Sequence, residues 1–240
     1  MMKSPNIHSE LISECLFGET IEVIRKEKDW YLSKLTTDEY IGWINSNCLT
    51  SVIKNTHIVI EPRTVVTSLA KVKSNFNLFL PLCSQLKVIK EQGLFSQIKF
   101  NNQLAFVPSS HIKNICDPIK DWVSISEKLV NTPYKWGGRN SLGIDCSALV
   151  QLSLLTKKIN IPRDTNDQIK FLSSKYKNTS TISRGSLVYW KGHVAIGINK
   201  KQIIHSSGHH LKVIIEDFKT AAKRMQNKGY FVEKIINIIQ

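Results

Sequence analysis

The sequence predicts an α+β domain over residues 117–240, preceded by two small all-β barrels over residues 1–50 and 51–116. Three observations predict it. Short alternating strands with tight polar turns fill the first part of the chain. The same pattern then recurs once, in the same order. From Asp117 the period changes, and two apolar helical stretches are followed by a run of strands, the segregated organisation of an α+β domain.

In the first segment the strands are Glu19-Thr20-Ile21-Glu22-Val23-Ile24, Trp30-Tyr31-Leu32-Ser33-Lys34-Leu35 and Tyr40-Ile41-Gly42-Trp43-Ile44. Lys26-Glu27-Lys28-Asp29 and Thr36-Thr37-Asp38-Glu39 are the turns between them. Strands this closely spaced close into a small barrel. In the second segment Lys87-Val88-Ile89-Lys90, Phe95-Ser96-Gln97-Ile98-Lys99-Phe100 and Leu104-Ala105-Phe106-Val107-Pro108 correspond in order to those three strands. Each copy ends alike, with Asn47-Cys48-Leu49 against Ser110-His111-Ile112, so the two segments read as an internal repeat. In the third segment Asp121–Val130 has helical apolar spacing, and a turn with Pro133 and Gly137-Gly138 leads to a strongly apolar helix, Cys146–Lys157. Strands follow at Ser186–Tyr189, His193–Ile198, Gln202–His205 and Val213–Glu216.

Composition narrows the function. The formal charge is +14, but the lysines are spread evenly and no basic stripe is interleaved with aromatics. The charge reads as solvated surface with some attraction for carboxylate-rich ligands, and no nucleic-acid partner is expected. No run approaches the ~20 apolar residues of a membrane span. Glu10 and Glu14 interrupt the place where a leader's apolar stretch would lie, so a cytoplasmic location away from the membrane is expected. The five cysteines form no CxxC pair. Cys15, Cys48, Cys83 and Cys116 read as small core hydrophobes in a reducing compartment. His209-His210 has no accompanying Cys or carboxylate cluster, so neither a metal nor another cofactor is expected.

Chemistry concentrates on Tyr134-Lys135-Trp136-Gly137-Gly138-Arg139 and Ile144-Asp145-Cys146-Ser147-Ala148-Leu149-Val150. Glycines make the approach turn, Asp145 suits the N-cap, and Cys146 begins an apolar helix. There the helix dipole and its unsatisfied N–H groups are expected to lower the thiol pKa below its usual ~8.5. Gly192-His193-Val194-Ala195-Ile196-Gly197 sets one histidine at a strand start, and Ile203-Ile204-His205-Ser206-Ser207-Gly208 sets another at the end of the next strand. A hairpin brings the two side by side, with His193 as base and His205 as its orienting group.

These residues resemble the NlpC/P60 family of papain-like cysteine peptidases over about residues 117–240, with WGG, DCS, GHVAIG and IHSSG in family order. The resemblance implies the catalytic set Cys146, His193 and His205. It departs at Arg184-Gly185-Ser186, where Ser186 stands in place of a common acid. The first two segments look like the paired bacterial SH3 domains of one subgroup, through Ser9-Glu10-Leu11-Ile12-Ser13, Leu16-Phe17-Gly18-Glu19 and Tyr40-Ile41-Gly42-Trp43. Phe79-Leu80-Pro81-Leu82-Cys83-Ser84 matches more loosely. That subgroup comprises γ-D-glutamyl-diamino-acid dipeptidyl-peptidases. The implied partner is a small peptide derived from peptidoglycan with N-terminal L-Ala, from which L-Ala-γ-D-Glu is released during cell-wall recycling. The resemblance also implies substrate contacts from Tyr134, Asp145 and Ser147. In Ile161-Pro162-Arg163-Asp164-Thr165-Asn166-Asp167-Gln168 it implies Asp164 for the substrate amine, with Thr165 beside it. Tyr40 and Glu10 are the implied contributions of the first barrel. From the residues alone, Arg163 next to Asp164 equally reads as a surface pair worth little. Two other readings stay open: a wall-binding SH3 module, and a papain-like amidase or acyltransferase with another substrate.

Overall fold

The computed structural model describes residues 1–74, 78–101 and 103–238. They divide into two compact units, Met1–Pro118 and Ile119–Gln240. Among the described residues no helix is long and apolar enough to cross a membrane.

In the first unit, alternation of apolar and polar residues produces a meander of β1 (Ile21–Glu27), β2 (Trp30–Leu35) and β3 (Ile41–Asn45). Its core is Met1, Leu35 and Ile44, with Tyr40 half-buried against them. Then come β4 (His57–Val59), β5 (Arg63–Val66), β6 (Leu78–Pro81), β7 (Gln85–Gln92), β8 (Phe95–Phe100), β9 (Gln103–Pro108) and β10 (Ile112–Asn114). Strands β10-β4-β7-β8-β9 form one sheet and β5-β6 a hairpin. The β7-β8-β9 meander repeats β1-β2-β3 down to its irregularities. Each first strand shifts register at a bulge, between Val23 and Arg25 and between Val88 and Lys90. Each third strand runs into a single 3-10 turn, Ser46–Cys48 or Ser109–His111, that ends on an apolar residue, Leu49 or Ile112.

The two meanders meet at Gly18. Its φ is +80°, and a Cβ there would lie 2.2 Å from the Gln85 carbonyl oxygen. Around it, Asn55 Nδ2 donates to Gly18 O at 2.9 Å, Gln85 N–H donates to Phe17 O at 2.8 Å, and Phe17 stacks on Phe100. Glu10 is exposed, with its carboxylate 2.9 Å from Lys3 Nζ. The cysteine expectation needs correction. Cys83 is buried and Cys15 partly so, but Cys48 and Cys116 are exposed. Cys48 sits in the 3-10 turn that carries Leu49 inward, so its apolar neighbour takes the core position.

The second unit is α+β, as the sequence predicts. It opens on α1 (Val123–Glu127), shorter than the expected Asp121–Val130. Trp122 gives no side-chain cap, and past Glu127 the bonds tighten to the 3-10 pattern, as in Leu129 N–H to Ser126 O at 3.0 Å. A two-residue pairing, β11 (Arg139–Asn140) with β12 (Gly143–Ile144), leads into α2 (Cys146–Leu155). After α3 (Thr165–Ser173) come β13 (Lys177–Thr179), β14 (Ser186–Trp190), β15 (His193–Gly197), β16 (Gln202–Ser207), β17 (Lys212–Asp217), α4 (Phe218–Gln226) and β18 (Val232–Asn237). The sheet order is β13-β18-β14-β15-β16-β17. Helix α2 is buried from Cys146 to Leu154 and packs on β15 and β16, which explains why it is apolar on every face. Ser186, at the departure from the family pattern, accepts from Ser183 N–H at 2.9 Å and so closes the turn before β14.

Gly18→Ala would force a side chain against backbone in a left-handed conformation. It should cost about 2–4 kcal/mol, read as a lower urea midpoint for the Met1–Pro118 unit. An unchanged midpoint would count against this close approach.

Candidate active site

The site is assembled around the N-terminus of α2. Asp145 has the extended conformation of an N-cap (φ −94°, ψ 177°) and accepts from Ala148 N–H at 2.9 Å. The same carboxylate accepts from Ser147 Oγ at 3.1 Å and from Gly137 N–H at 3.0 Å. Arg163 forks onto it, with Nη1 at 3.0 Å from Oδ1 and Nη2 at 2.5 Å from Oδ2, and Nη1 also donates to Ser147 Oγ at 2.7 Å. Arg163 is 2% exposed and Asp145 6%. The approach turn demands glycine. Gly137 has φ +71°, and a Cβ on Gly138 would lie 2.4 Å from Gly143 O.

Cys146 stands on the first turn of α2 and is buried, with 7% of the residue exposed. The backbone N–H groups of Val194 and Ser147 hydrogen-bond to it. Burial, aided by the Asp145 charge, pushes the thiol up to about 12, and those amides and Arg163 counter only part of the rise. This corrects the expectation of a lowered pKa. A helix N-terminus offers partial charges, whereas the enclosed sulfur loses most of its hydration, and the second effect wins here. Tyr134 lies beside the thiol, its phenol pushed up to about 12 by burial and then by Cys146 and Asp145.

A line of polar groups runs across the strands from His193. His193 Nε2 is 2.7 Å from His205 Nδ1, and His205 Nε2 is 2.7 Å from Glu216 Oε1. Arg224, from α4, donates to Glu216 through Nη2 at 2.5 Å and Nη1 at 2.8 Å. The ladder between β15 and β16 covers only Ile196–Ile204 and Gly197–Ile203, so the histidine rings meet beyond the paired register. Burial pushes His193 down to about 3, with His205 and Arg224 adding to the fall. Burial works against ionisation of Glu216, but hydrogen bonds from His205 and Arg224 hold it at about 2. The resting arrangement is therefore a neutral thiol near a neutral imidazole. Such a pair can generate a thiolate by passing one proton to the ring.

The structure brings Tyr134, Asp145, Cys146 and Ser147 together and joins His193 to His205. Asp145 and Ser147, expected as substrate contacts, have their side-chain oxygens bonded to Arg163 and within the α2 cap. Arg163 is no surface pair; it is the buried counter-ion of Asp145. Asp164 is exposed at the N-cap position of α3 without a side-chain cap bond, and Thr165 is half-buried beside it. Tyr40 and Glu10 belong to the first unit. Sequence reasoning missed Glu216, Arg224 and Gln168. Gln168 is buried, and its Nε2 donates to Ser147 O at 3.0 Å and Pro162 O at 2.9 Å. Strand period was the available signal for Glu216: Ile214 pairs with His205, and the residue two positions on shares its face.

Residues 131–235 match the model of the NlpC/P60 family, and residues 1–49 match that of the bacterial dipeptidyl-peptidase SH3 domain. Dipeptidyl-peptidase 6 of Lysinibacillus sphaericus is 25% identical over 225 residues, covering 85% of this chain and 82% of that protein. The γ-D-glutamyl-L-lysine dipeptidyl-peptidase of Bacillus subtilis is 25% identical over 221 residues, covering 81% of this chain and 71% of that protein. A crystal structure of an NlpC/P60 family protein from Bacillus cereus superposes with a TM-score of 0.77 at 20% identity. It covers 95% of this chain and 81% of that one, and the likeness shows a shared fold.

Two measurements check the electrostatics. Arg163→Met would strand the Asp145 charge and should cost about 3–5 kcal/mol in urea unfolding, with Arg163→Lys recovering only part; a neutral Arg163→Met would show that the fork holds nothing. A difference spectrum of the ligand-free protein against Cys146→Ser should lack thiolate ultraviolet absorbance near neutrality and gain it only at strongly alkaline pH. A thiolate band at neutral pH would contradict the neutral resting pair.

Proposed function

We propose that this chain, which carries an NlpC/P60 domain and an N-terminal bacterial SH3 domain, is a cysteine peptidase that hydrolyses the bond between γ-D-glutamate and the following diamino acid in free cell-wall peptides that begin with L-Ala. The observation that carries the chemistry is an enclosed thiol on the first turn of α2, with the Val194 amide bonded to its sulfur and His193 the residue before Val194. The substrate class is supported by two dipeptidyl-peptidase relatives whose likeness runs through most of this chain. The same reading puts the enzyme in the cytoplasm, recycling peptides released from the wall.

In this mechanism the Cys146 proton passes to His193 and the sulfur attacks the γ-carbonyl carbon. The backbone N–H of Cys146, at the start of α2, faces the developing oxyanion. The tetrahedral intermediate collapses to a thioester as His193 returns its proton to the departing amine of the diamino acid. Water, giving a proton to His193, then cleaves the thioester, which frees L-Ala-γ-D-Glu and restores the thiol. Tyr134 lines the cleft beside the sulfur. Asp164, with Thr165 next to it, offers an exposed carboxylate for the peptide's α-ammonium, a charge-assisted contact that an acetylated peptide cannot make.

Mass spectrometry of L-Ala-γ-D-Glu-diaminopimelate and of the lysine analogue after incubation with purified protein tests this. L-Ala-γ-D-Glu should appear, Cys146→Ala should reduce the rate by at least roughly 10³-fold, and N-acetylation should suppress cleavage. Undiminished turnover by Cys146→Ala, or cleavage at another bond, would refute the assignment.

A further inference from the structure

Resting on the peptidase reading, we infer that Glu216, pinned by Arg224, is a positioning residue that fixes the tautomers of His205 and His193 and so selects the nitrogen that takes the Cys146 proton. The reasoning is hydrogen-bond bookkeeping along one line. Glu216 Oε1, 2.7 Å from His205 Nε2, is a carboxylate oxygen and can only accept, so Nε2 of His205 carries hydrogen. With its one ring hydrogen at Nε2, His205 presents a lone pair at Nδ1, and the group 2.7 Å away, His193 Nε2, is then the donor. That leaves Nδ1 of His193 unprotonated, as the ring nitrogen available to the thiol. When it accepts the proton, the imidazolium keeps its bond to His205 and feels the carboxylate at the far end of the line.

The surroundings favour this division of labour. The His205 side chain is 4% exposed and that of Glu216 11%, so neither bond is screened by bulk water. Trp190 lies against the His193 ring, with centroids 5.8 Å apart. Arg224 reaches both Glu216 oxygens, which prevents the carboxylate from turning away or taking up a proton at moderate pH. The groups that act on His193 are His205 from β16, Glu216 from β17 and Arg224 from α4, with Cys146 on α2 joined through the Val194 amide; His210, after β16, faces Glu216 and Arg224. His205 is thus the bridge, and the negative charge that supports imidazolium formation belongs to Glu216.

Two variants of the full chain separate charge from tautomer. Glu216→Gln keeps an oxygen for His205 but removes the charge; kcat should fall about tenfold with KM unchanged, and the acid limb of kcat/KM should move to lower pH. Glu216→Leu removes the acceptor as well, and kcat should fall on the order of 10²–10³-fold, because His205 is then free to carry hydrogen at Nδ1. Nitrogen NMR should find hydrogen on Nε2 of His205 in the wild type and a mixture of tautomers in Glu216→Leu. Alkylation of Cys146 by iodoacetamide, which passes through the thiolate–imidazolium form, should slow by the same factors. This readout and the NMR need no peptide, so they test Glu216 even when the peptide proves not to be the substrate. The inference is overturned by an unmoved pH profile and alkylation rate in folded Glu216→Gln, or by hydrogen on Nδ1 of His205 in the wild type.

Discussion

Everything at this site hangs on one buried ion pair, the fork of Arg163 on Asp145. Asp145 caps the helix that carries the sulfur, receives the amide of the glycine turn and holds Ser147, so with Arg163 three pieces of chain meet on one carboxylate. Alone, such a charge so far from water would be untenable. Arg163 makes it tolerable, and the geometry of a planar guanidinium also fixes its direction. Gln168, from the next helix, ties the carbonyl of Ser147 to the same loop. Cys146 is thereby mounted on a hydrogen-bonded support built from the chain itself.

The same burial that makes the support rigid sets the electrical state of the sulfur. Enclosure disfavours a negative charge on Cys146 and a positive charge on His193, and both shifts point to a proton that stays on sulfur at rest. Activation must then come from groups that favour the separated pair once it forms. In the proposed arrangement Glu216 supplies that influence from a distance, through His205, so the acid is ionised without sitting beside the sulfur and opposing its charge.

The elements most visible in the sequence are those whose period matches their surroundings. Strands β2, β8 and β9 alternate because one face is covered, and α2 is mostly apolar because it is buried along nearly its whole length. Less visible were α3 and β18, which mix burial and exposure over short lengths, and α4, where Ala221 is the one buried position. At the site, Cys146, Asp145 and the two histidines stand out because glycine turns and a helix start surround them. Arg163 looked like surface because its partner lies on another element, and only tertiary packing turns it inward. Glu216 and Arg224 look like a solvated pair for the same reason. The lowered thiol pKa failed on a physical point: local sequence reveals the helix start, but not how completely the rest of the fold excludes water from the sulfur.

The order of the strands has a temporal meaning. Ribosomes deliver Cys146 first, then His193, His205, Glu216 and Arg224, and the inner strand β18 only after all of these. The central sheet cannot close until that last strand slots between β13 and β14. A nascent chain therefore holds every group from Cys146 to Arg224 before the sheet that aligns them is complete.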